Sequence, residues 1–258
     1  MKTLILAILL SGTFLIQNTW AQEARQVADK SGQTIDFEGM EMVATLKIID
    51  ARGHERLRQI ANASKKYGTT TKTLMKFLAP TDVKGTAMLV FDYEDESDDM
   101  WIYLPALRKT RRIVSSEKSK SFMGSEFSNA DMSKPNLDDF TYQNRGATTF
   151  EGKSCWEIEA TCKNEDIEDE YGFSKKISLV EKSTYLTLKV DYYDLDGELF
   201  KTMYMRDYKK QANGKYFAFL MEMKNLQNER KSIIAIDKFQ LGTSIEESYF
   251  STSNLEKL

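Results

Sequence analysis

Two Asx-Gly pairs, Asp196-Gly197 and Asn213-Gly214, constrain this chain more than any other feature. The first separates "TYLTLKVDYYD" from "ELFKTMYMRDYKK", and the second leads into "KYFAFLMEMKN". Such pairs readily take the positive φ angles of two-residue hairpin turns, whose twist matches the strands on either side. With "ISLVEK" before them and "KSIIAIDKFQ" after, they predict an antiparallel meander. Its strands are long, at roughly ten residues, as large curved sheets and barrels require.

The first half reads the same way. "MVATLKIID" and "HERLRQIANAS" flank a turn at Ala51 to Gly53, and "TTTKTLMKFLAP" and "KGTAMLVFDYE" flank Pro80-Thr81-Asp82. "MWIYL" and "RKTRRIV" form a further hairpin turned at Pro105. Helical signals are few. "AQEARQVADKSG" predicts a short amphipathic helix with Ala24, Val27 and Ala28 on one side. "SNADMSKPNLDDF" predicts one or two short turns, with Ser128 or Asn129 as N-cap and Pro135 opening the second. No repeat or linker interrupts the chain, so one domain over residues 22–258 is expected.

The strands differ in their faces. In "YLTLKVDYY" apolar and polar residues alternate, as in a half-buried strand. "KYFAFLMEM", "TLMKFL" and "TAMLVF" are apolar on both faces. A sheet with two apolar faces needs a cover on each, so it curls around either a packed interior or an apolar cavity. The 12 Met and the 14 Phe, 12 Tyr and 3 Trp suit the cavity, with a plain packed core as the alternative. Methionine fills irregular gaps in a core and also adapts to irregular ligands. Alternation and hydrophobicity nominate Met75, Phe77, Met88, Trp101, Tyr103, Phe217, Phe219 and Met221 as lining residues. A separate anomaly is "SFMGSEFSNADM", which sets Phe122, Met123 and Phe127 among loop-forming polar residues.

The chain opens "MKTLILAILLSGTFLIQNTWAQ". A lysine, an apolar run and small residues at Thr19 and Ala21 have the layout of a secretory signal peptide cleaved after Ala21. The run is shorter than the ~18 residues that a membrane span requires. Export of a soluble protein is the expectation; loss of Lys2 with the signal peptide takes the net charge from −3 to about −4, and an acidic total does not point to nucleic acid. Cys155 and Cys162 could pair in an oxidising compartment. On one continuous strand, however, a separation of seven sets them on opposite faces.

Catalytic patterns are missing. His54, the single histidine, lies beside the Gly53 turn, and no nucleophile can be matched to it. There is neither a G-x-S-x-G elbow nor a Gly-rich phosphate loop. One His and two Cys do not make a zinc set. "NEDIEDE" could be a solvated loop or a calcium site, although it lacks spaced D-x-D-x-D-G ligands. Neither an enzyme nor a cofactor is expected. The densest basic cluster is Arg108, Lys109, Arg111 and Arg112. It is either an edge strand protected by charge or a docking patch for anionic head groups or an acidic partner.

Several ordered segments resemble the LolA-like group of outer-membrane lipoprotein-sorting proteins. "FLAPTDVKGTAMLVFDY" is similar to its strand–Pro–Asp-Val-Lys-Gly-Thr–strand pattern, and "DDMWIYLPALRKTRRI" to its Trp-x-Tyr-x-Pro hairpin with a basic return strand. "SFMGSEFSNADM" resembles its Phe-Met-Gly-Ser-Asp/Glu-Phe segment; "KSTYLTLKVDYYDLDGELFKTM" and "YFSTSNLEKL" match as well. The resemblance implies a mainly β fold: an incomplete, strongly curved antiparallel β-barrel closed by short helices and loops acting as a lid. Phe122, Met123 and Phe127 would belong to that lid and face the barrel, while Asp131 and Asp139 stay wet.

The same resemblance implies a periplasmic, monomeric, non-catalytic carrier of lipoprotein acyl chains or another lipid toward the outer membrane. Partners would be an inner-membrane transporter of RND (MMPL-like) type and an outer-membrane acceptor. The alternative it leaves is an accessory protein of such an exporter that uses the barrel as a scaffold.

Overall fold

A computed structural model describes residues 21–94, 96–242 and 244–256. The expected signal peptide lies outside them except for its last residue. Helix α1 covers residues 21–34. Five strands and a return strand follow: β1 (Gly39–Ile49), β2 (Glu55–Tyr67), β3 (Thr70–Ala79), β4 (Ala87–Tyr93), β5 (Asp99–Leu104) and β6 (Lys109–Ile113). After α2 (Ser115–Lys118) come β7 (Phe140–Phe150), β8 (Lys153–Cys162), α3 (Glu165–Tyr171) and β9 (Lys175–Glu181). The chain ends with β10 (Thr187–Tyr193), β11 (Leu199–Lys210), β12 (Tyr216–Asn225), β13 (Lys231–Leu241) and α4 (Thr252–Leu255).

All strands belong to one antiparallel sheet, ordered β6-β5-β4-β3-β2-β1-β13-β12-β11-β10-β9-β8-β7. It is two meanders joined where the first strand pairs with the last, with Leu46 opposite Ile234. Both expected hairpins form, but through three-residue loops: the Asp194 and Gln211 amides donate to the Glu198 and Lys215 carbonyls, the Gly197 and Gly214 amides donate back to the Asp194 and Gln211 carbonyls, and only the glycines of the two pairs take positive φ, 82° and 83°. The sheet is not closed, so β6 and β7 are its free edges. Residues 114–139 connect those edges and therefore have to cross the open side.

One buried cluster joins Ile113 of β6 with Phe140 of β7 and Phe173 beside β9. Inner-face residues at opposite ends of an open sheet can share a cluster only if the sheet curls strongly. The inner face carries Leu46, Ile48, Met75, Phe77, Met88, Val90 and Met100, all at most 4 % exposed. The outer face of β2–β5 is apolar as well. Leu74 and Leu89 there pack under Phe250 and Leu255 of the C-terminal segment, which Lys72 ties down through Glu247 at 2.7 Å. "TLMKFL" and "TAMLVF" are thus greasy on both sides because each side has its own cover.

Helix α1 places Ala24 and Val27 on Ile158 and Val180. Cys155 and Cys162 are free and buried; β8 runs uninterrupted between them, so they enter clusters on opposite faces. "NEDIEDE" is neither loop nor ligand set but the start of α3. The Asn164 side chain accepts from the Ile167 amide at 3.0 Å, and Glu165, Asp166 and Glu168 occupy the first turn, where carboxylates suit the helix dipole. Among the described residues, no helix is long and apolar enough to cross a membrane.

Candidate functional site: a lidded cavity

The crossing segment answers the question posed by "SFMGSEF". Phe122 and Phe127 are each 2 % exposed, and Phe122 packs on Phe77 with ring centroids 5.7 Å apart. The loop closes on itself through Phe122 N–H donating to the Phe127 carbonyl at 2.8 Å. Met123 takes a left-handed φ of 52°, which lets its carbonyl accept from Arg58. Its side chain packs against the inner cluster from the edge.

Polar residues pin this lid rather than wet it. Glu126 is 5 % exposed; its carboxylate pairs with Arg230 at 3.0 Å and accepts from Asn225 at 2.9 Å. Its amide donates to Ser232 Oγ at 2.9 Å. Asp131 remains exposed, as expected. Asp139 is half-buried instead, because it accepts the Tyr171 hydroxyl at 2.8 Å.

Between lid, α1 and the inner face of β1–β4 and β7–β13 lies a cavity of about 770 Å³, within the ~300–1,000 Å³ usual for small-molecule sites. Its apolar wall includes Met40, Met42, Met75, Val180, Val190, Met203, Met205, Met221 and Ile234. Charged pairs ring part of it: Arg25 with Asp138 at 2.5 Å, Lys66 with Glu94 at 2.7 Å, and Lys134 with Asp36.

Of the residues nominated from sequence, Met75, Met221, Phe122 and Phe127 stand on this wall. Phe77 and Met88 are in the packed inner core beside it. Phe217 and Phe219 join Phe37 and Phe239 in an aromatic group beyond the lining. Trp101 and Tyr103 need correction: they lie on the outer face with Phe91 and Phe250. The inner face of β5 belongs to Met100 and Ile102, the opposite parity to Trp101 and Tyr103.

The basic cluster lies on edge strand β6. Arg112 pairs with Asp99 and Arg111 with Glu117 at 2.7 Å, while Lys109 is exposed and Arg108 caps the Pro105–Leu107 turn. Position at a free edge with partly neutralised charge fits the protected-edge reading. His54 is in a turn, 72 % exposed at its side chain and 3.0 Å from Asp50.

One lining carboxyl is unusual. Burial, reinforced by the charge of Asp98, pushes the Asp92 carboxyl up to about 6. The native state therefore holds this proton more tightly than the unfolded chain between pH ~4 and ~6, and the stability it contributes is lost as pH rises through 6. Asp92→Asn is expected to raise stability at pH 7.5 by about 1–2 kcal/mol, less than the ~3 kcal/mol equivalent of two units because the cavity admits water. Denaturant titrations should show the gain at pH 7.5 and almost none at pH 4.

A model for a family of uncharacterized proteins matches residues 69–257. No curated protein matches. Among solved structures, a domain assigned as an outer-membrane lipoprotein-sorting protein from Vibrio parahaemolyticus is 28 % identical. Its TM-score is 0.85, over 92 % of this chain and 99 % of that one. A DUF1329 family protein from Desulfovibrio piger gives the same figures. A LolA superfamily protein from Nitrosomonas europaea has the same fold at 16 % identity, with a TM-score of 0.71 over 90 % of this chain and 98 % of that one. This chain belongs to the LolA-like family.

Proposed function

We propose that this protein is a periplasmic, non-catalytic lipid carrier, one half-barrel over residues 22–258 that takes acyl chains of lipoproteins or other lipids into its cavity for transfer toward the outer membrane. The observation that carries the reading is the methionine-rich, lidded hollow, whose size suits an acyl tail. The lipoprotein-sorting assignment of the Vibrio relative supports it. A sixteen-carbon tail gains about 13 kcal/mol on burial at ~0.8 kcal/mol per CH2, against ~4–15 kcal/mol for association. That balance allows both capture and release. A transporter on the inner membrane and an acceptor on the outer membrane would supply direction, because a ligand moves to whichever site binds it better.

Native mass spectrometry of protein purified without detergent tests the reading, and a co-purified lipid adduct is the expected result. Ser178, a small lining residue on β9, gives a control. Ser178→Phe should fill the hollow without removing a core contact, weakening binding of an acyl-chain dye at least ~10-fold, or ~1.4 kcal/mol, while leaving thermal stability unchanged. Uptake that survives this change would place the bound tail elsewhere.

A further inference from the structure

Lys176 stands on the inner face of β9, on the cavity wall. Its ammonium lies over two stacked rings, 4.9 Å from the centroid of Phe140 and 5.7 Å from that of Phe173. Those rings are themselves 6.2 Å apart and nearly parallel, at 11°. Directly opposite in the β9–β10 ladder is Tyr192, whose ring meets Phe173 edge-on at 5.3 Å. Same-face side chains opposed in this way lie roughly 4.5–5.5 Å apart at Cβ.

The other cations on the wall are neutralised by Asp138, Glu94 and Asp36. Among the described residues, Lys176 is the lining cation with neither an ion pair nor a hydrogen bond. Asp131, also on the cavity wall, exerts the largest pull of opposite sign on Lys176, but it is exposed and already accepts from the amide and hydroxyl of Ser128. Burial depresses the Lys176 ammonium below its ordinary range, and the opposing pull of Asp131 does not make up for it. Aromatic faces offset part of that cost. A neutral acyl ester would leave the cation unmatched, whereas an anionic group would restore both charge balance and hydrogen bonding.

We infer that the cavity receives an amphiphile head first, with an anionic head, a carboxylate or a phosphate monoester, held by Lys176 and the Tyr192 hydroxyl while its apolar tail runs along the methionine-lined wall. This rests on the carrier reading and narrows its cargo to tails that carry their own anion.

The test compares hexadecanoate, hexadecyl phosphate and hexadecanol by displacement of a bound fluorescent fatty-acid analogue. The wild-type protein should bind at least one of the two anions 10-fold or more tightly than the alcohol. Whichever anion binds better identifies the head class. Lys176→Met should abolish the preference and leave alcohol affinity within two-fold, while Lys176→Arg should retain it. Loss of an unpaired buried charge should also raise the Tm of the Met variant, so misfolding would be visible as the opposite shift. Equal affinity for acid, phosphate and alcohol in the wild-type protein, or a preference that persists in Lys176→Met, would overturn the inference and leave the carrier standing. No binding of any of the three would remove the carrier itself.

Discussion

Phe122→Ala is expected to destabilise the protein by about 3–5 kcal/mol, the usual cost of truncating a buried phenylalanine. The side chain is 2 % exposed and stands on Phe77, itself 1 % exposed, in the cluster that also contains Leu46, Ile48 and Met88. The loop around it is closed by its own backbone hydrogen bonds, so the segment has little freedom to collapse into the vacated space. The lost transfer energy and the residual hole therefore both count. Met123→Ala provides the internal comparison: Met123 packs against the same cluster but is only half-buried, and a cost of about 1 kcal/mol is expected. Urea titration of the two variants gives the difference directly, as a shift in midpoint at constant slope. Equal costs would mean that Phe122 is not the residue seating the lid.

That arrangement changes the picture of the lid. Residues 122–127 are a fixed plug, locked by apolar burial, whereas the cavity beyond them is bounded by residues 130–138 and α1, which meet through the largely exposed Arg25–Asp138 pair. Surface ion pairs are worth ~0–1 kcal/mol, while the Phe122 anchor is worth several. Opening for cargo should accordingly begin where α1 meets residues 137–138, with the Phe122 plug left in place.

Much of this was legible in the sequence, because hairpin turns and strand alternation are local properties. Asp196-Gly197 and Asn213-Gly214 announce their turns whatever surrounds them. The apolar triad of the lid was also visible, since Phe122, Met123 and Phe127 contrast with their polar neighbours. What stayed hidden depends on partners distant in the chain. Strand β7, "FTYQNRGATTF", is a largely polar edge strand whose register slips between Asn144 and Gly146, so it carries almost no periodic signal. Trp101 and Tyr103 are apolar on the outer face because Phe250 and Leu255, some 150 residues away, cover it, and nothing in β5 reveals that cover. Lys176 looked like any strand lysine. Only the return of β10 and the packing of Phe140 and Phe173 make it a cation inside a hollow.

Glu126 was hidden for the same reason, and its partner gives the second large expected effect. Arg230, at the β12–β13 turn, reaches two points of the lid: it pairs with the Glu126 carboxylate at 3.0 Å and donates to the Gly124 carbonyl at 3.0 Å. The two partners are unequally solvated, with side-chain exposures of 34 % for Arg230 and 6 % for Glu126. Removing the arginine strands a buried carboxylate whose remaining side-chain donor is Asn225. Removing the carboxylate's charge instead leaves a guanidinium that water can reach. Arg230→Met should therefore cost about 3 kcal/mol, the lower end for a broken buried pair, and Glu126→Gln only about 1 kcal/mol. The double variant should recover most of the Arg230→Met loss, since an uncompensated charge rather than the missing contact dominates it. A double-mutant cycle in urea reads all three values. If Glu126→Gln proves the costlier single change, the carboxylate is held chiefly by Asn225, and the latch is a hydrogen bond instead of an ion pair.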